Sequence, residues 1–294
     1  MSGSEARIRD LPLWRGPIRC EPLTGGLSNE SFTVTDGAGK YVVRFGRDFP
    51  FHHVFREREI AVARAAHAAG FAPEVVYSAP GVIVSRFIEG RTYGPKDVRA
   101  NLLRIAAIVR RFHDEMPAHI GGAAFLFWVF HVIRDYARTL EAGESRMVPR
   151  LPEFLALAAE MERVQTPLPI VFGHHDFLPA NFIDDGRRLW LIDFEYAGFG
   201  TAMFDLAGIA SNAGFDSVAA EALLAAYLGG PPSDAFRQSH AAMQCASLLR
   251  EAMWSMVSEL HLDAPGVDYA AYTQQNLDAL DAAVAAYRAR FGKD

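Results

Sequence analysis

Asp176, Asn181 and Asp193 are the residues of this chain whose types and spacing point most directly to chemistry. Asp176 lies five positions before Asn181 on a segment containing Pro179. The turn residues Asp184-Asp185-Gly186-Arg187-Arg188, between Phe182-Ile183 and Leu189-Trp190-Leu191-Ile192, predict a hairpin. Asn181 at its entry and Asp193 at its exit then come together, with the Asp176 carboxylate beside them. Two oxygen ligands and a separate carboxylate are what nucleotide-dependent phosphoryl transfer requires. Asn181 and Asp193 are assigned to a Mg²⁺ ion on the phosphates, and Asp176 to the base that orients and deprotonates an acceptor hydroxyl.

The elements around these residues divide into two kinds. Glu21 to Leu27, Ser31 to Thr35 and Lys40 to Phe45 read as antiparallel strands, followed by a helix over Val54 to Ala69 and strands at Glu74 to Tyr77 and Val82 to Phe87. From Lys96 the chain turns to Ala- and Leu-rich helical stretches, roughly Lys96 to Glu115, Phe127 to Glu141, Leu151 to Arg163, Phe204 to Ala213 and Asp216 to Leu228. Two further helices, Ser233 to His261 and Asp268 to Phe291, open on the N-caps Ser233 and Asp268. Ile170 to Ile192 reads as the only β-like region of this half. The expected fold is α+β, with a nucleotide-binding lobe of sheet plus one helix over residues 1–89 and a helical lobe with catalytic loop and acceptor pocket over residues 90–294.

Within the first helix, Glu59 falls among Phe55, Val62, Ala63 and Ala66 on the apolar face, so its carboxylate needs a cation. Arg44 at the end of the third strand is the natural partner, and a surface bridge to Arg56 or Arg58 is the rival reading. In the helix from Ser233, a stripe of Ser247, Glu251, Trp254 and Ser258 sets an indole beside a carboxylate, a half-cage suited to a quaternary ammonium group. Core packing of the same aromatics is the competing explanation.

The motifs His174-x-Asp176-x4-Asn181 and Asp193-Phe194-Glu195 resemble the protein-kinase-like fold, most closely the choline/ethanolamine kinase and aminoglycoside phosphotransferase superfamily. The resemblance implies that Leu23 to Phe32, through Gly25, Gly26, Ser28 and Asn29, is the turn over the ATP phosphates. It implies that Arg44, ordered by Glu59, meets the phosphates, and that the linker near Arg86 and Ile88 meets adenine through its backbone. Arginine at position 44 favours the choline kinase branch. The acceptor residues it implies are Trp254 and Tyr272, with Glu195 and Glu251 as candidate partners of a cation. Glu251 stands where choline kinases often have a second tryptophan, which raises the case for ethanolamine or another primary amine. His113 reads as structural. The alternatives are an aminoglycoside or sugar-hydroxyl phosphotransferase and a non-catalytic nucleotide-binding regulatory module.

Composition excludes several other classes. Half of the 294 residues are apolar, enough for a sizeable core, and the net charge of −6 with scattered arginines gives no footprint for nucleic acid. Cys20 and Cys245 form no disulfide framework or zinc motif. The longest apolar run, Ala123 to Phe130, is too short for a bilayer, so no membrane insertion is expected and a cytoplasmic setting fits.

Overall fold

The computed structural model describes residues 3–23, 30–263 and 266–292. Gly25, Gly26, Ser28 and Asn29, expected to cover the phosphates, lie outside the described residues.

Five antiparallel strands form the first sheet: β1 (Arg19–Leu23), β2 (Glu30–Asp36), β3 (Gly39–Phe45), β4 (Val75–Ala79) and β5 (Val82–Arg86), in the order β1-β2-β3-β5-β4. The hairpin between β2 and β3 is closed by Asp36, whose Oδ1 accepts the amides of Ala38 at 2.7 Å and Gly39 at 3.0 Å. Period-two alternation then sorts the side chains. Phe32, Val34, Tyr41, Val43, Phe45, Val82 and Val84 bury together with Ile8 of the short helix α1 (Gly3–Arg9), which the sequence reading did not foresee. Arg44, flanked by Val43 and Phe45, therefore points from the opposite face of the sheet, toward helix α2 (Arg56–Ala68).

Helices dominate the remainder: α3 (Pro95–Ala100), α4 (Leu102–Glu115), α5 (Val129–Ala142), α6 (Leu151–Arg163), α7 (Ala202–Asn212), α8 (Ser217–Leu228), α9 (Asp234–His261) and α10 (Tyr269–Phe291). The helix expected over Lys96 to Glu115 is two helices, because Asn101 leaves helical geometry and its side chain closes on the Asp97 carbonyl at 2.9 Å. Ser233 and Asp268 act as the N-caps anticipated, accepting the amides of Phe236 and Ala271. Helix α9 runs through the centre of this lobe and is buried along most of its 28 residues.

Ile170 to Ile192 is not the only β-region of this half. Besides β7 (Ile170–Gly173) and the hairpin β8 (Phe182–Asp184) with β9 (Leu189–Leu191), the structure has β6 (Arg91–Thr92) against β8 and β10 (Gly198–Thr201) against β7. The sequence Gly198-Phe199-Gly200 carries little strand propensity. Its glycines answer a space requirement: a Cβ on Gly198 would lie 2.7 Å from the Phe125 carbonyl oxygen, and one on Gly200 2.7 Å from that of Phe127.

Candidate active site

The loop after β7 is held from below. Asp205 on α7 is 1% exposed and accepts the backbone amides of His174 at 2.9 Å and His175 at 2.7 Å. His113 on α4 reaches the same carboxylate at 2.8 Å, its other nitrogen lying 2.8 Å from the Tyr227 hydroxyl, so it is structural as expected. Burial works against the charge on Asp205, yet the imidazoles of His175 and His113 outweigh it and bring the carboxyl down to about 2. The peptide reverses at His175, whose φ of 61° is left-handed, and its ring stacks on Phe127 at 4.4 Å. A side chain at Gly173 would collide with that ring. With His174 and His175 turned into the core, Asp176 is delivered to the cleft. Sequence reasoning missed Asp205, and only its place three residues into a helix opening at Ala202 could have drawn attention to it.

The hairpin brings its two ends together as its turn residues imply. Phe182 pairs with Leu191, and the Ile192 amide donates to the Asn181 carbonyl at 3.2 Å, so Asn181 and Asp193 are adjacent. Asn181 Nδ2 donates to the Asp176 carbonyl at 2.8 Å and stands 3.5 Å from its carboxylate. That orientation leaves Oδ1 of Asn181 without a hydrogen-bond donor among the described residues. Asp193 has a left-handed φ of 67°, which turns its carboxylate out of the β9 strand line. Burial, followed by the facing Asp193 charge, raises the Asp176 carboxyl well above the ordinary carboxylate range, against the pull of Arg250.

Among the described residues no three His, Cys, Asp or Glu side chains gather as a metal cluster. The donor set nevertheless fits Mg²⁺, which keeps water and phosphate oxygens in its shell and takes only one or two protein ligands. Asn181 and Asp193 are the residues that would supply those oxygens.

From Asp193 an alternating row of charges crosses to α2. Arg44 Nη1 lies 2.8 Å from Asp193 Oδ1, and its other arm is ion-paired with Glu59, which is 2% exposed. Arg56 Nη1 then bridges Glu59 at 2.6 Å and Glu195 at 2.9 Å. Glu59 thus takes Arg44 and, of the two rival cations, Arg56, inside the protein and not at its surface, while Arg58 reaches the Glu195 carbonyl at 2.9 Å. Glu195 also faces a cation, but that cation is Arg56. Burial and the Asp193 charge raise the Glu195 carboxyl, with Arg56 opposing.

On the far side of Asp176 a cavity of about 90 Å³ is lined by Phe177, Asn212, Ser247, Glu251, Tyr272 and Asn276 together with the buried Arg250. Glu251 accepts from the Tyr272 hydroxyl at 2.8 Å and from Arg250 Nη1 at 2.8 Å. Trp254 is one turn further along α9 and does not line this cavity. Its indole stacks on His52 at 4.8 Å, meets Tyr272 edge-on at 6.4 Å and donates to the Tyr196 hydroxyl at 3.0 Å. Of the linker residues, Arg86 is exposed and pairs with Glu74 at 3.2 Å, while the amides of Arg86 and Phe87 are spent on the Glu74 and Lys40 carbonyls. Ile88 follows, half-buried.

A model of the phosphotransferase enzyme family called APH matches residues 19–237. The chain belongs to that family. Among curated proteins, a probable ethanolamine kinase of Arabidopsis thaliana is 29% identical over 205 residues, 63% of this chain and 54% of the relative, so the chain spans about half the length of that protein. Protein LicA of Haemophilus influenzae is 23% identical over 265 residues, 87% of this chain and 77% of its own. Among solved structures, a choline/ethanolamine kinase family protein from Mesorhizobium loti superimposes with a TM-score of 0.77 at 26% identity, covering 96% of this chain and 93% of that one. The chain has the protein-kinase-like two-lobe fold of that solved structure, with its small antiparallel sheet and larger helical part. No described helix is long and apolar enough to cross a membrane.

Proposed function

We propose that the chain transfers the γ-phosphoryl group of ATP to the hydroxyl of a small amino alcohol, ethanolamine or choline being the favoured class. One observation carries this reading: Asp176 borders, on one side, the paired ends of the hairpin and, on the other, a small cavity with Glu251 and Tyr272 in its wall.

Each residue then has a task. Asp176 accepts the proton of the acceptor hydroxyl and aims that oxygen at phosphorus. Arg44, steadied by Glu59, places its charge where the phosphates meet Asp193. Asn181 and Asp193 would hold Mg²⁺, which when bound would supply charge neutralisation at the transferring phosphoryl group. Glu251 and Tyr272 orient the acceptor's ammonium group. With Trp254 covered by His52, the cavity wall offers more hydrogen-bond acceptors than aromatic faces, which favours a primary amine over a quaternary one. The small volume supports an amino alcohol over an aminoglycoside.

Incubation with ATP-Mg²⁺ and a panel of amino alcohols and aminoglycosides, reading ADP release and the mass of the product, tests the reading. Acceptor-dependent ADP release with ethanolamine or choline is expected. Turnover confined to aminoglycosides, or nucleotide binding with no transfer to any alcohol, would sink it.

A further inference from the structure

The stretch between β3 and α2 does more than connect them. Phe49 and Val54 exchange backbone hydrogen bonds at 2.9 and 3.1 Å, closing residues 49–54 into a tight loop. Its three tip residues each grip the helical lobe. Phe51 stacks on His261 at 4.5 Å. His52, 2% exposed, lies against the Trp254 indole with Nε2 2.9 Å from Ser258 Oγ and Nδ1 3.3 Å from the Tyr136 hydroxyl. His53 Nε2 reaches Asp135 at 2.7 Å. Helix α2 starts two residues after this loop, and its first turn is tied back to the end of β3: the Arg56 amide donates to Asp48 at 2.8 Å and Arg56 Nε to the Arg47 carbonyl at 2.9 Å.

We propose that His52 is a positioning residue for phosphoryl transfer, fixing the start of α2, and so the Glu59–Arg44 pair, against the α9 segment that backs the acceptor cavity. The inference rests on the phosphotransfer reading given above. A small sheet joined to its partner lobe only through a linker can rock, and the Glu59-bearing helix rocks with it. Here the loop clamps the lobes on the side away from the linker, with a packed imidazole whose two nitrogens both have partners. The charges at the phosphates are then set by packing, and no modification of a mobile segment is needed to assemble them. The contacts of His52 are with Tyr136, Trp254 and Ser258 and not with Arg44, Asn181 or Asp193, so an effect of changing it on nucleotide binding is indirect, and α2 is the element that links the two places.

The test is calorimetric titration of Mg²⁺·AMP-PNP, a non-hydrolysable nucleotide, into the wild-type chain and the variants His52→Ala, His52→Gln and Ser258→Ala, with thermal unfolding of each. Loss of positioning weakens nucleotide binding about tenfold in His52→Ala at a temperature where the protein is folded. His52→Gln, which keeps a group able to bond Ser258, recovers most of the affinity. Ser258→Ala, which removes one hydroxyl and preserves the fold, shows a smaller loss in the same direction, and adding it to His52→Ala has no further effect. Unchanged affinity in folded His52→Ala, or in Ser258→Ala if the former does not fold, overturns the proposal, even where the unfolding temperature falls. A wild-type chain that binds no nucleotide overturns the phosphotransfer reading and this inference with it, whereas wild-type binding with unaffected variants removes only the positioning role.

Discussion

Arg44 Nη1 stands 2.8 Å from Asp193 Oδ1 although 149 residues separate the two in the chain. Through that contact, and through Glu59 and Arg56 beyond it, β3 and α2 are wired to the segment that follows the hairpin. Arg44→Ala leaves Glu59 with Arg56 alone, so the cost falls below the roughly 3–5 kcal/mol of a fully broken buried pair, at about 2–3 kcal/mol. Urea unfolding measures it. Nucleotide affinity falls at the same time, and Arg44→Lys gives an intermediate result because one ammonium cannot serve Glu59 and Asp193 as a planar fork does.

Asp176→Asn removes the proposed proton acceptor and keeps the shape. Turnover is expected to fall by about 10²–10⁴-fold or more, with AMP-PNP affinity within a few-fold of wild type. Thermal stability is unchanged or higher, because the amide is spared burial as an anion and repulsion by Asp193. Retained turnover with lost nucleotide binding would refute the assignment.

Asp205→Asn tests the anchor beneath the loop. An amide has only one acceptor oxygen for the two loop amides and His113, so a buried donor loses its partner. The expected destabilisation is about 1–3 kcal/mol, with a drop in kcat that exceeds any change in nucleotide affinity, since Asp176 and not the phosphate ligands is displaced. Equal kcat in the folded variant would show that the loop keeps its form without the anchor.

Tyr272→Phe deletes the hydroxyl that donates to Glu251 at 2.8 Å. The KM for the amino alcohol is expected to rise about tenfold, the equivalent of one lost hydrogen bond to a charged group, while the KM for ATP stays put. A change in the ATP term alone would place Tyr272 outside the acceptor site.

Acid sensitivity follows from buried neutral imidazoles. Burial pushes both His175 and His240 down to about 4, and His52 is lowered by burial and the nearby Arg250 to about 2. Unfolded histidines take up protons below about 6.5. The stability these groups contribute is therefore complete above pH 6.5 and is lost as the pH falls toward 4, by about 3 kcal/mol for a group lowered to 4. His240 lies away from Asp176, and His240→Gln should flatten the dependence of unfolding free energy on pH between 6.5 and 4 by about one proton. An unaltered slope would mean that His240 is charged in the folded protein.

What the sequence determined by itself was everything governed by local rules. Asp185-Gly186 between apolar runs specified the hairpin, Ser233 and Asp268 specified helix starts, and a glutamate on the apolar face of α2 required a buried cation. Tertiary structure alone decided what depends on the approach of distant segments. Gly198 and Gly200 are strand residues because other backbones press on them, Asp205 matters because two amides point at it, and Trp254 is covered because His52 reaches across from the other lobe. Burial at such places is set by which surfaces meet, and no window of neighbouring residues carries that information.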